Sequence, residues 1–335
     1  MLSFAAAHLI STFQAVVLGV LQGATELFPV SSLGHTVLFP TLFRWGNIVA
    51  WQSQPESPWL AFVVMLHVGS AVGLLIYFWR DWVALIRAFF ATLGKRRVET
   101  PTERLAWLII CATIPVGILG LLLERVIREA LAKPLSAAIF LIVNGCILLY
   151  AERYRRRAEV RELARREGLN PEGYRSLDTL EYRESGIIGV AQTSALIAGI
   201  SRDGVVMTAG LARGLDNADA ARFGFLLATP PILAAGILKV GDLTGPNGTG
   251  VRGAAVIAAV CAAITAIITV HYLTRYFRKG NLRPFGIYCI VFGIFMVLFT
   301  AIVARRRPAR VALRPRRAPL PLLLLLRSAE ADLAV

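Results

Sequence analysis

The sequence predicts an all-α polytopic membrane protein, and three observations carry that prediction. Of its 335 residues, 56% are hydrophobic, and the mean hydropathy is +0.62. The apolar residues gather in separated runs near 4–22, 60–79, 105–123, 135–151, 223–240, 251–273 and 285–304, each close to the roughly 20 residues that a spanning helix needs. Lys and Arg collect in the stretches between those runs, where they act as topology signals. Within lipid a helix satisfies its own backbone polar groups, so spanning runs of this kind are read as helices.

Taken in order, the first run carries no basic leader and no small-residue cleavage site, so it is expected to stay on the mature chain. It passes into a second apolar stretch, 23–43, that is broken by Gly, Pro and polar residues. Run 60–79 then goes inward to a basic connection over 80–104 with "GKRRVETPTER", 105–123 returns outward, and 135–151 goes inward to a second basic connection over 152–183 with "ERYRRRAEVRELARREG". Both connections read as cytoplasmic. The stretch 186–213 is interrupted in its turn, and parity makes it a re-entrant hairpin or a pair of short helices. After it, 223–240 runs outward, 251–273 inward, and "RYFRKGNLR" is again inside. The last run would then leave "RRRPARVALRPRR" on the outer face, against the charge rule. Residues 305–335, rich in Arg and Pro, read as a basic, disordered tail, which leaves a membrane domain over 1–304 with halves of about 1–150 and 184–304 joined by the cytoplasmic loop 152–183.

The formal charge of +15 follows from those topology signals, and no nucleic-acid partner is expected. Cys111, Cys146, Cys261 and Cys289 all lie in apolar runs without short pair spacing, which argues against zinc, redox chemistry or a disulfide framework.

The two broken segments resemble each other. With Gln22 placed over Gln192, "QGATELFPVSSLG" meets "QTSALIAGISRDG": Ser31 falls on Ser201, Ser32 on Arg202 and Gly34 on Gly204. Each copy is followed by a full apolar span. Interrupted hydrophobic segments at matching places in two halves point to a site between repeats at membrane depth. Broken backbone at that depth must be buried in protein or line a wet cavity, so both segments are expected to wall one pocket.

Gln22 and Glu26 stand four apart, on one helix face. Glu26 is the only formal charge within residues 9–43, and an ionisable side chain inside a membrane segment is a functional candidate by default. Pro29 should end that helix, leaving Ser31, Ser32 and His35 on the turn beyond, where Gly34 permits tight backbone. In the second segment Arg202 offers a planar fork suited to phosphate, and Ser201 or Asp203 caps the helix that follows, whose exposed N–H groups add an anion site. An anion-binding cation, a carboxylate, hydroxyl nucleophiles and an imidazole are the parts of phosphoryl transfer. Mg²⁺ or Ca²⁺ would use Glu26 and the Gln22 carbonyl oxygen together with substrate phosphate oxygens. No Walker loop is present, so a nucleotide-driven pump has no support. His67, within a span, is a weaker candidate for the same pocket, with packing an equal alternative.

The motifs "LGVLQGATELFPVSSLGH", "VGSAVGLLIYFWR", "AGISRDGVVMTAG" and "ARFGFLLATPPILAAG" resemble those of the bacitracin-resistance type undecaprenyl-diphosphate phosphatases, integral membrane enzymes of the bacterial cell-envelope lipid cycle, over about residues 1–300. The resemblance implies six transmembrane helices plus two re-entrant helical hairpins in an inverted repeat, with a pocket open toward the outer face of the plasma membrane. It implies removal of the terminal phosphate from a C55 isoprenyl diphosphate, so the expected partners are that lipid and the bilayer. The oligomeric state stays open, a dimer being one option. It also implies that Glu26 and Gln22 manage metal and diphosphate, that Ser32 beside Ser31 is the nucleophile or a phosphate ligand, and that His35 transfers a proton or attacks. Ser201, Arg202, Asp203 and Gly204 would form the phosphate-binding side.

The second signature departs from the family pattern: Ala198 stands for Pro, Asp203 for Ser and Val206 for Thr. An acid beside Arg202 should partly neutralise it. One hypothesis is that the acid missing at Gln22 has been moved to Asp203. Rival readings are a transporter or flippase of a phosphorylated polyprenyl lipid, which has the same need of Arg202 and Glu26 but little use for Ser32 with His35, and a phosphatase-like relative with weakened activity.

Overall fold

The computed structural model describes residues 10–52, 58–131, 133–167, 174–245, 248 and 250–306. Twelve α-helices follow one another among these residues: α1 (Thr12–Leu27), α2 (Ser32–Leu42), α3 (Gly46–Gln52), α4 (Pro58–Tyr77), α5 (Trp79–Lys95), α6 (Pro101–Leu131), α7 (Pro134–Arg166), α8 (Tyr182–Gln192), α9 (Arg202–Ala212), α10 (Asn217–Thr244), α11 (Arg252–Tyr276) and α12 (Arg283–Arg306). The described residues up to Leu298 form one compact unit. The second unit, 299–335, is described only through the last turns of α12, and the basic tail beyond Arg306 lies outside the described residues.

Among the described residues, six helices are long and apolar enough to cross a membrane: α4, α6, α7, α10, α11 and α12. They coincide with six of the seven expected runs. The run expected over 4–22 is not a span of its own. From Thr12 it lies in the 16-residue α1, which continues through Gln22 and Gly23 to Leu27, and residues 1–9 lie outside the described residues. The polar and small residues interrupt the hydropathy but not the helix, because that face of α1 is buried against α11. A Cβ at Gly23 would stand 2.3 Å from Ala262 O, and on α4 a Cβ at Gly69 would stand 2.3 Å from Ala259 O. Small residues let these backbones approach without side chains between them, the usual device where lipid provides no hydrophobic drive for helix association.

Neither basic connection is an irregular loop along its whole length. The first contains α5, whose exposed Trp79, Ile86, Phe90 and Leu93 form one apolar stripe, the pattern of a helix lying in a membrane interface. The second begins as a continuation of α7 as far as Arg166. Arg155 pairs with Glu152 and Glu159, and Glu162 with Arg165 and Arg166, at the i,i+3 and i,i+4 spacings that support an exposed helix.

Both interrupted segments break where the alignment places them. α1 stops at Leu27 and Phe28 turns extended (φ −63°, ψ 136°), as the residue before a proline must. In the second copy α8 runs into a 3₁₀ turn over Thr193–Leu196, and the chain stays non-helical until α9. The likeness extends to the caps. α2 and α9 are each 11 residues long and begin at aligned positions, and Ser31 and Ser201 each accept a hydrogen bond from the N–H of the residue three further on, Gly34 and Gly204. The sequence left Ser201 and Asp203 as alternatives for the second cap, and Ser201 fills it.

Candidate active site

The site is assembled from the two breaks. Gln22 and Glu26 share a face of α1, and Gln22 Nε2 donates to Glu26 Oε2 at 2.9 Å. Beyond the Pro29 break the first residue of α2, Ser32, returns its hydroxyl to the same Oε2 at 2.5 Å. From the other half, Arg202 at the start of α9 donates Nη2 to Glu26 Oε1 at 2.7 Å and Nη1 to Ala228 O at 2.9 Å. The guanidinium also stands 3.5 Å from Asp203 Oδ1 through Nε, so it is shared between two carboxylates. His67 of α4 completes the ring around Glu26: Nδ1 donates to Val63 O at 2.9 Å, and Nε2 stands 3.5 Å from Glu26 Oε2. Glu26 is 7% exposed, and a buried carboxylate is tolerated because it has a cation and hydrogen-bond donors about it.

Ser31 takes the positive φ of 70° that the break requires, an uncommon conformation for a residue with a side chain, of the kind that gathers at functional sites. Its hydroxyl accepts from Gly34 N at 3.2 Å within its own segment and from Gly199 N at 3.1 Å in the other. The two tips are thereby tied directly. Gly34 admits that approach, since a Cβ there would stand 3.0 Å from Gly199 Cα.

A cavity of about 320 Å³ opens onto this cluster, with Glu26, Ser31, Ser32, His67, Ser201 and Arg202 on its wall. A second, apolar cavity of about 980 Å³ adjoins it. Val64, Val116, Leu196, Pro231 and Ala235 border both.

Five of the sequence-predicted residues therefore meet at one cavity: Glu26, Ser31, Ser32, Ser201 and Arg202. Gln22 touches the cluster from behind Glu26 through its Nε2. The others are placed differently. His35 is fully buried in α2, off the cavity wall: Nδ1 donates to Ser31 O at 2.7 Å, Nε2 meets the Tyr288 hydroxyl at 2.8 Å, and its ring stacks on Tyr288 and Phe292. Asp203 is buried behind Arg202 and neither oxygen makes a hydrogen bond. Gly204 caps onto Ser201 and packs against Leu148. Two contributors carried little or no signal. His67 ranked second among the histidines, and Asn144, which holds both breaks, is visible only as a lone amide within "AAIFLIVNGCILLYA".

For a hard cation held jointly with a phosphate ligand, the described residues offer Glu26 on the cavity wall. Gln22 Oε1 is buried without a hydrogen-bond partner beside the one carboxylate on the cavity, and Mg²⁺ is commonly held by one or two carboxylates plus substrate phosphates. Among the described residues no group of three His, Cys, Asp or Glu forms a cage of protein ligands alone.

Fold and site together define a polytopic helical membrane protein in which two broken segments bring a carboxylate, a serine hydroxyl and a guanidinium to one cavity. The chain belongs to the bacitracin resistance protein BacA family, whose model matches residues 15–295. Curated relatives cover nearly their whole length. Undecaprenyl-diphosphatase 2 of Frankia alni is 48% identical over 88% of this chain and 99% of its own. Undecaprenyl-diphosphatase of Mycolicibacterium paratuberculosis is 49% identical over 86% and 96%, and undecaprenyl-diphosphatase 2 of Chromobacterium violaceum is 40% identical over 86% and 99%.

Proposed function

We propose that this protein hydrolyses undecaprenyl diphosphate to the monophosphate, returning the carrier lipid to cell-envelope synthesis. The reading places it in the bacterial plasma membrane, with the pocket toward the outer side and α1–α2 and α8–α9 dipping in and returning. Helices of 16 and 11 residues are too short for the roughly 20 that a span needs.

The observation that carries the reading is the hydrogen bond from Ser32 to Glu26 beside Arg202. In the proposed step the Ser32 oxygen attacks the terminal phosphorus. The bridging P–O bond breaks with its electron pair on the leaving lipid monophosphate, and the Ser32 proton moves to Glu26 Oε2. Water then cleaves the phosphoserine as Glu26 returns its proton to the Ser32 oxygen, releasing phosphate and restoring both the hydroxyl and the carboxylate. Arg202, with its charge divided between Glu26 and Asp203, turns toward the terminal phosphate as Glu26 takes the proton. Phosphoryl transfer depends chiefly on such positioning and charge stabilisation. Glu26 would hold Mg²⁺ or Ca²⁺ with the diphosphate, joined by Gln22 Oε1 once the Gln22 amide turns that atom toward Glu26, and the cation would supply charge neutralisation when bound. The adjoining apolar cavity suits the first isoprene units.

A transporter of phosphorylated lipid also needs Arg202, but it has no need of a hydroxyl hydrogen-bonded to a carboxylate. Phosphate release from undecaprenyl diphosphate by detergent-purified protein with Mg²⁺ or Ca²⁺ is the test, run beside Glu26→Ala, Ser32→Ala and Arg202→Ala. Release by wild type and its loss in all three support the enzyme. A folded wild type that binds the lipid and releases nothing refutes it.

A further inference from the structure

Asn144 is the eleventh residue of α7, fully buried, and its amide meets both breaks at once. Nδ2 donates to Pro29 O at 2.9 Å, and Oδ1 accepts from Ser201 N at 2.9 Å. It belongs to a stripe of α7 formed by Ala137, Leu141, Asn144 and Leu148, all fully buried and spaced so that they share one helix face. The stripe is a rail for the second tip. Gly199 lies so close that a Cβ would stand 2.4 Å from Ala137 O and 2.7 Å from Leu141 N, its φ of +108° being one that glycine adopts without strain, and Leu148 contacts Gly204.

We propose that Asn144 is a positioning residue, setting the register between the two breaks so that Ser32 and Arg202 converge on Glu26. The proposal rests on the phosphatase reading. Pro29 has a carbonyl but no N–H to offer, and Ser201 presents an N–H. A neutral amide donates at one end and accepts at the other, so it serves both, whereas a carboxylate only accepts and an aliphatic chain of similar size does neither. Because one side chain satisfies both groups, neither break can shift along α7 without unpairing the other. Ser201 is next to Arg202, and Pro29 lies three residues before Ser32, so a shift at either contact passes directly to the reacting groups. Asn144 itself does not reach the cavity.

The test is a double-mutant cycle on full-length, detergent-purified protein with undecaprenyl diphosphate as substrate. Asn144→Leu is expected to lower kcat by about 100-fold, the scale of a misplacement of about 1 Å, with KM within about threefold of wild type. In an Arg202→Ala background, read on its residual release, the same substitution should cost about tenfold less than in wild type, since one of the two groups it positions is gone. Equal losses in both backgrounds would mean a merely structural role and overturn the proposal, as would wild-type kcat in Asn144→Leu. If Asn144→Leu does not fold, Asn144→Asp decides. Its protonated carboxyl can donate to Pro29 O and accept from Ser201 N, so its activity relative to wild type should rise as pH falls or stay near that of wild type throughout, and a ratio that stays low at every pH overturns the proposal. A wild type without phosphatase activity removes the underlying reading and the proposal with it, whereas an active wild type with an unaffected variant removes the proposal alone.

Discussion

Arg202 Nη2 and Glu26 Oε1 lie 2.7 Å apart although 176 positions separate the two residues in the chain. The contact joins the two halves at the cavity, where each charge answers the other. Removing one partner of a buried pair leaves the other uncompensated, typically at a cost of about 3–5 kcal/mol. Arg202→Ala should therefore lower the thermal midpoint as well as phosphate release. Arg202→Lys keeps the charge but cannot reach Glu26 Oε1 and Ala228 O together as the guanidinium does, so stability should recover in part and activity should not. Thermal unfolding beside steady-state kinetics checks both, and a fully active Arg202→Lys would refute the argument.

Ser31 gives a prediction with a definite sign. Its φ of 70° favours glycine, while its hydroxyl caps α2 and accepts from Gly199 N. Ser31→Gly relieves the backbone and loses the hydroxyl. Ser31→Ala loses the hydroxyl and keeps the strain. An N-cap serine replaced by Ala typically costs about 1 kcal/mol and by Gly a few tenths, so Ala should be the more destabilising by about 1 kcal/mol or more. Denaturation midpoints in one detergent would show the order, and the reverse order would contradict the strained geometry.

His35 invites a separation of chemical from structural effects. Off the cavity wall, with Nδ1 on Ser31 O and Nε2 at Tyr288, it is placed to hold the Ser31 backbone. Tyr288→Phe keeps the stacked ring and removes one hydrogen bond. It should cost about 1 kcal/mol of stability and leave activity within about threefold of wild type. His35→Ala should lower stability and activity together. Activity lost with stability intact would point instead to the imidazole acting on the substrate.

Much of this site was legible because local chemistry decides it. The four-residue spacing of Gln22 and Glu26 dictates a shared face, Pro29 dictates the end of α1, and Ser201 before a glycine-bearing apolar run reads as a cap. What escaped depends on long-range packing. The boundary expected at residue 22 vanished because Gly19 and Gly23 let α1 press against α11, a fact of the partner rather than of the segment. The continuation of α7 past 151 needed ion pairs within "ERYRRRAEVRELARR" to be weighed against its charge. His67 and Asn144 sit alone in apolar runs, and only tertiary structure reveals that one meets Glu26 and the other both breaks.

Glu184, at the start of α8 and outside the spanning helices, gives a dependence on pH. Arg175 forks onto its two oxygens at 3.0 Å each and also donates to Arg213 O and Thr179 O, fastening the connection after α7 to the beginning of the second broken segment. The Arg175 hydrogen bonds hold the Glu184 carboxyl below its usual value of 4.5, against some desolvation. A carboxylate with a lowered folded-state pKa adds stability that is fully present above the unfolded value and is lost as pH falls through the folded one. The contribution should thus be constant from neutral pH to about 5 and decline below that. Glu184→Gln should lower the thermal midpoint at pH 7, and the difference from wild type should shrink as the buffer is taken from pH 5 toward 3. A difference that stays constant across that window would show that the fork does not hold Glu184 ionised.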